Sequence, residues 1–210
     1  PLRGKSTPDD IPMKTLTYET VSIDDVKLAG SATLSKEAAD TYVGWTPFEK
    51  PDKFDALKLE AIIDDRNNEF PIDKYSLLYN DGSTAHSKIR ISNAIDIVQQ
   101  NNPPEQYEVN MKDFHYDGNC AFDAANRKWT RSFSWSNPNG DVQIKVEQSV
   151  QIDDARKNYI ITNSVSSEGT TPALFEFMMN MDTAYNNNDR CEGYYVDKKE
   201  LTKNSIYNNY

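Results

Sequence analysis

The chain has 210 residues, 37% of them hydrophobic and 27% charged, with a formal net charge of −10 at pH 7. That balance argues against nucleic acid and against an anionic membrane surface, both of which need clustered Lys and Arg. No apolar run approaches the ~18–20 residues of a membrane-spanning helix, and no signal-peptide core is visible, while twelve Tyr, eight Phe and three Trp supply enough buried area for a folded domain.

Residues 1–14 read as an N-terminal arm or linker. TLTYETVSI alternates through Leu16 and Tyr18, then changes parity to Val21 and Ile23, the signature of a strand with a bulge. VKLAGSATL reads as a second strand, and TYVGWTPFEKP as a Gly- and Pro-punctuated loop carrying Tyr42, Trp45 and Phe48. In FDALKLEAIIDD the alternation of Leu57, Leu59, Ala61 and Ile63 predicts a strand, although the residue types also suit a helix. KIRISNAIDIV alternates at Ile89, Ile91, Ile95 and Ile97, and QYEVNM at Tyr107, Val109 and Met111.

DFHYDGNCAFD, residues 113–123, holds one of the two histidines, one of the two cysteines and three aspartates. Asp117-Gly118-Asn119 is a strong turn signal, so the stretch reads as a loop between a strand ending near Phe114 and a run beginning at Lys128. KWTRSFSWS then places Trp129, Phe133 and Trp135 on one face. DVQIKVEQSVQID does the same with Val142, Ile144, Val146, Val150 and Ile152, and Asn137-Pro138-Asn139-Gly140 joins the two runs as a hairpin turn. NYIITNSVSS and ALFEFMMNMD follow after short links, which predicts a four-strand antiparallel meander from Trp129 to about Asp182. Residues 201–210 read as a C-terminal tail.

The strand spacing predicts an all-β chain. Its expected form is one antiparallel β-sandwich of Greek-key or meander type over residues 15–200, with a closed or partly closed β-barrel as the alternative. The polar ending without an obvious last strand fits one module of a longer protein.

Nucleophilic catalysis by Cys120 with His115 is disfavoured, because Asp113, Asp117 and Asp123 crowd the thiol and would raise its pKa. Zinc is disfavoured too, since His86 and His115 lie in different elements and no pair has spacing such as Cys-x-x-Cys or His-x-x-x-His. Calcium is the one cofactor the residue types allow: Asp113, Asp117, Asn119 and Asp123 offer hard oxygen ligands, though without EF-hand spacing, and ordinary turns use the same residues. Cys120 and Cys191 are candidates for a disulfide closing a long loop, with two separate thiols as the alternative. No phosphate-binding glycine loop is present, and Glu176 reads as an outward carboxylate.

Binding through rings and amides remains. Tyr42, Trp45, Phe48, Tyr185, Asn187, Tyr194 and Tyr195 are the candidate ligand-binding residues, set against the alternative that these rings cap the core. The expectation is a non-catalytic extracellular or cell-surface module that binds carbohydrate or protein. A carbohydrate-active enzyme using carboxylates on a concave sheet face is the first alternative, and a secreted toxin or effector the second.

Overall fold

The computed structural model describes residues 26–64, 73–82, 84–94, 106–183, 192–197 and 200–205. Its elements in chain order are β1 (Val26–Leu28), α1 (Lys36–Thr41), β2 (Glu60–Ile63), β3 (Asp73–Ser76), β4 (Lys88–Asn93), β5 (Gln106–Asn110), β6 (His115–Asp123), β7 (Lys128–Ser136), β8 (Gln143–Asp153), β9 (Asn158–Ser167), β10 (Ala173–Met178), β11 (Glu192–Asp197) and β12 (Glu200–Ser205). The fold is all-β and antiparallel. Its sheets run β6-β7-β8-β9, β10-β4-β5, β1-β2-β3 and β11-β12 in strand order, and none of them closes into a barrel. Among the described residues no helix is long and apolar enough to cross a membrane.

The hairpin of β7 and β8 forms where alternation predicts it. Trp129 pairs with Val150, Phe133 with Val146 and Trp135 with Ile144. The connecting turn is fixed by Asn137, whose buried side chain donates to Asp141 (2.8 Å) and accepts from the Val142 amide (3.1 Å), with Gly140 at φ +78°. Two departures from the predicted order shape the molecule. The stretch 113–123 is not a loop: residues 115–123 form edge strand β6, and between the pairs Tyr116–Phe133 and Cys120–Arg131 three residues of β6 face the single Ser132 of β7. Asp117, Gly118 and Asn119 therefore bulge out of a strand rather than end one, with Gly118 at φ +75°.

The second departure is β10. It does not extend the meander beside β9 but crosses to the other sheet and pairs with β4, Phe177 opposite Ile89 and Phe175 opposite Ile91. The turn at 168–172 explains the crossing. Its backbone folds over the β7–β8 tip: the Glu168 amide donates to the Gln143 carbonyl (2.8 Å), the Thr171 amide to the Asp141 carbonyl (3.0 Å) and the Thr171 hydroxyl to the Asp141 carboxylate (3.1 Å). The Ala94 amide then donates to the Pro172 carbonyl (2.9 Å), which delivers the chain to the β4 side.

The crossing produces a sandwich with two apolar cores along the one long sheet. Between that sheet and β10-β4-β5, Ile89, Ile91, Phe133, Val142, Ile144 and Val146 are buried together. Toward the other end, Leu28, Phe48, Leu57, Leu59, Trp129, Val150 and Ile152 form the second core under the β1-β2-β3 sheet and the 42–59 segment. The alternation predicted across residues 54–65 holds only in part. Leu57 and Leu59 are buried, but within β2 the inward parity passes to Glu60 and Ile62.

Glu60 is tolerated inside because Lys74 pairs with it at 3.0 Å and the Trp45 indole donates to it at 3.1 Å. The Tyr159 hydroxyl, set to donate to the carbonyls of Glu60 (2.9 Å) and Ala29 (3.0 Å), ties the small sheet to β9.

Helix α1 begins at Ser35, whose hydroxyl accepts from the Ala38 amide at 3.1 Å. Strand β12 lies across the boundary at residue 200 between the predicted domain and tail. Residues 1–25, which hold the predicted arm and the TLTYETVSI strand, lie outside the described residues, as do Ile95 and Ile97.

Candidate functional site

A groove of about 680 Å³ lies between β6 and the 42–51 segment, within the size range of small-ligand sites. The 42–51 segment is held by backbone bonds at its start and its middle. The Trp45 amide donates to the Tyr42 carbonyl (3.0 Å), and the Lys58 amide to the Pro47 carbonyl (2.7 Å). Trp45 is locked between these anchors. Its indole N–H is spent on Glu60, its edge meets Trp129 at 5.4 Å between centroids with planes at 89°, and Tyr159 lies at 6.2 Å and 29°. Gly30, at φ +80°, makes room for it: a Cβ there would come within 2.5 Å of Trp45 Cζ3.

The opposite wall comes from β6 and β7. Phe122 stacks on Trp129 with centroids 4.4 Å apart and planes at 25°, yet remains 49% exposed. The pairing register puts the two side by side, Phe122 opposite Trp129. Arg127, at φ 48° in the connecting turn, holds its guanidinium carbon 5.7 Å from the Phe122 ring and 5.8 Å from the Trp129 ring. Its Nε is buried and has no hydrogen-bond partner among the described residues. The groove thus offers one exposed aromatic platform, further rings on its walls and a cationic donor group at its side.

Tyr42 and Trp45, two of the predicted ligand contacts, line this groove together. Phe48 also borders it, but it is buried in the core with its ring face covered by the Arg131 guanidinium at 4.1 Å, which leaves little of it to touch a ligand. Tyr194 and Tyr195 lie in β11, opposite Lys203 and Thr202. Tyr185, Asn187 and Cys191 lie outside the described residues. Residue type does not mark Phe122 or Arg127 as ligand contacts, and it places Trp129 only on the apolar face of its strand. Their signal was the pairing of β6 with β7, which requires β6 to be a strand in the first place.

The predicted calcium ligands are dispersed by local roles. Asp113 ends a short 3-10 turn (Met111–Asp113), and Asp117 accepts from the Ser134 hydroxyl at 2.6 Å within the β6 bulge beside exposed Asn119. Asp123 caps the next turn, accepting from the amides of Ala125 (3.0 Å) and Asn126 (3.3 Å) and from the Asn126 side chain, contacts that lower its pKa. Among the described residues no group of three or more His, Cys, Asp or Glu side chains is gathered where it could hold a metal ion. The four predicted ligands are thus not gathered into one such group, and Asp117 and Asp123 spend their oxygens on the bulge and the following turn.

Cys120 lines the groove as a free, exposed thiol. Partial burial of its Sγ pushes its pKa up, and the nearby Arg131 cation pulls the other way. Tyr42 is pushed up to about 12, first by burial and then by the Glu60 charge. Of the groove-lining residues Glu49 alone is a carboxylate, and it pairs with Lys58 at 3.5 Å. The two facing carboxylates of a glycosidase are therefore not assembled there among the described residues.

The chain was compared with protein-family models, with curated proteins and with solved structures, and none of the three comparisons returned a match.

Proposed function

We propose that the chain is a non-catalytic binding module whose groove between β6 and the 42–51 segment takes a carbohydrate. The observation that carries this reading is the Phe122–Trp129 stack, an aromatic face left open to solvent beside Arg127 and opposite Tyr42. A pyranose ring offers C–H bonds on its faces and hydroxyls on its rim. A flat ring covers the first, and donors such as the Arg127 guanidinium and the Thr46 hydroxyl satisfy the second. The aromatic wall is rigid, because Trp45 and Trp129 are already packed, so little ordering entropy opposes binding.

The test is a titration of the intact chain with oligosaccharides chosen from a glycan array, followed by tryptophan fluorescence. Two of the three tryptophans, Trp45 and Trp129, line the groove and report on its occupancy. Binding that weakens about tenfold or more in Phe122→Ala, with the melting temperature nearly unchanged, supports the reading. An array blank for the wild-type chain overturns it, and capture of a protein through the same Phe122-dependent surface would replace carbohydrate with a protein ligand.

A further inference from the structure

A second cavity of about 480 Å³ opens on the other side of the 49–56 segment, and its lining is unlike the rest of this acidic molecule. Lys50, Lys53, His86 and Lys112 border it, and among the described residues none of the four pairs with a carboxylate. The two acidic residues on its wall are engaged elsewhere: Glu49 pairs with Lys58 at 3.5 Å, and Asp55 accepts from the Ser87 amide at 2.9 Å. Three ammonium groups thus border one cavity with none of them ion-paired, a local positive patch on a chain of 33 Asp and Glu and 23 Lys and Arg, and such a patch raises the local concentration of an anion.

The backbone fixes this arrangement. The Lys53 amide donates to the Lys50 carbonyl (3.0 Å), the Ala56 amide to the Lys53 carbonyl (3.3 Å), and the Leu57 amide to the Asp55 carbonyl (3.0 Å), which folds residues 50–57 into consecutive tight turns. Gly82, at φ +78°, lies so close to the Asp55 carbonyl that a Cβ would not fit. From inside, the Arg131 guanidinium binds the carbonyls of Lys50 (3.0 Å) and Phe54. The backbone oxygens of the segment are thus drawn inward, and the exposed Lys50 and Lys53 side chains are left to the cavity.

We infer that this cavity is an anion subsite that takes a sulfate, phosphate or carboxylate substituent, which makes an acidic saccharide the ligand class of the neighbouring groove. Glu49 lines both cavities, so the two meet along one segment. The assignment of the ligand class rests on the reading of the groove as a sugar site; the anion subsite stands on its own lining. Lysine ammonium groups bind such oxyanions as rotatable point charges without requiring a fixed bidentate geometry.

Two measurements on the intact chain separate the parts. Inorganic sulfate is first titrated while the ring resonances of the two histidines are followed by NMR, His86 in the cavity and His115 on β6 as the internal reference. A saturable shift at His86 alone, lost in the triple variant Lys50→Gln, Lys53→Gln, Lys112→Gln, supports the subsite. Equal, unsaturated shifts at both rings overturn it. A sulfated glycosaminoglycan oligosaccharide and its desulfated counterpart are then compared by calorimetry, with about a tenfold preference for the sulfated form expected in the wild type and none in the triple variant. A preference that survives in the triple variant overturns the assignment. If neither oligosaccharide binds while His86 still responds to sulfate, the groove reading falls and the anion subsite stands.

Discussion

Arg131 and Gln148 face each other across β7 and β8 inside the apolar core, and the Gln148 Oε1 accepts from both Nε (2.9 Å) and Nη2 (2.7 Å) of the arginine. The pair sits at the seam of the two cores, between Phe133–Val146 on one side and Trp129–Val150 on the other. Arg131 is 0% exposed, with its guanidinium 4.1 Å from the Phe48 ring and 5.1 Å from that of Phe133. Its remaining donors reach the carbonyls of Lys50, Pro51 and Phe54 rather than any carboxylate. Burial draws its pKa down to about 9, still above neutrality, so a cation held by neutral oxygens fixes the segment that divides the two cavities.

Replacing Arg131 with Met is expected to destabilise the chain by about 3–5 kcal/mol, because it strands the Gln148 amide and the carbonyls of the 50–54 segment without a donor. Gln148→Leu is expected to cost about 2–3 kcal/mol by leaving the guanidinium short of its acceptor. Urea unfolding of both single variants and the double variant checks the coupling. The double variant should lose clearly less than the sum of the two, and strict additivity would refute the arrangement.

Gly30→Ala should open the groove by force. The added methyl meets Trp45 Cζ3 at 2.5 Å, and the backbone at φ +80° strains any side chain. A loss of about 1–3 kcal/mol is expected, with a changed Trp45 emission spectrum. Gly44→Ala provides the comparison: it shares the positive φ (+74°) but has open space around its Cβ, so it should show the backbone cost without the spectral change.

The Cys120 thiol reports on groove occupancy. Burial raises its pKa, so in a Cys191→Ser background alkylation at pH 7 should run slower than that of free cysteine and should accelerate as pH rises toward the thiolate range. A saccharide in the groove should slow it further in proportion to occupancy. Alkylation indifferent to a ligand that binds by calorimetry would place that ligand elsewhere.

Tyr42 sets an alkaline limit. Its hydroxyl titrates at about 12 in the folded chain against an ordinary value of 10.0. Below pH 10 folded and unfolded chains both keep the proton, so the contribution is fully present. From 10 to about 12 the unfolded chain releases it first, so stability falls as pH rises. Tyr42→Phe should lose that part of the slope. Unfolding curves of variant and wild type that stay parallel from pH 9 to pH 12 would contradict it.

The β7–β8 hairpin was legible because nine-residue alternation on each strand leaves few other ways to bury Trp129, Phe133, Val146 and Val150. The same parity places Arg131 and Gln148 inward, a local conflict that only the segment at 50–54 resolves. β6 was hidden because it is an edge strand exposed along most of its length, its rings Tyr116 and Phe122 separated by a bulge, so no alternation marks it. The sequence of β10 marks a strand but not its neighbour, since a short turn signals reversal without choosing between a sheet and its opposite. Half the groove followed from Tyr42 and Trp45. Its other half, Phe122 and Arg127, comes from register across a strand pair, which residue types do not encode.

The placement of β10 also governs when the molecule can mature on the ribosome. β4 pairs with β5 soon after it is made, but its other edge waits for Ala173–Met178. Until those residues emerge, Ile89 and Ile91 belong to a two-stranded ribbon whose β4 edge is still open and whose cover is incomplete. The wait spans synthesis of β6 through β9, so the nascent chain carries an aggregation-prone edge while those four strands are made. Lys88 and Arg90, whose side chains are half exposed on the outer face of that ribbon, are placed to act as gatekeepers during this interval.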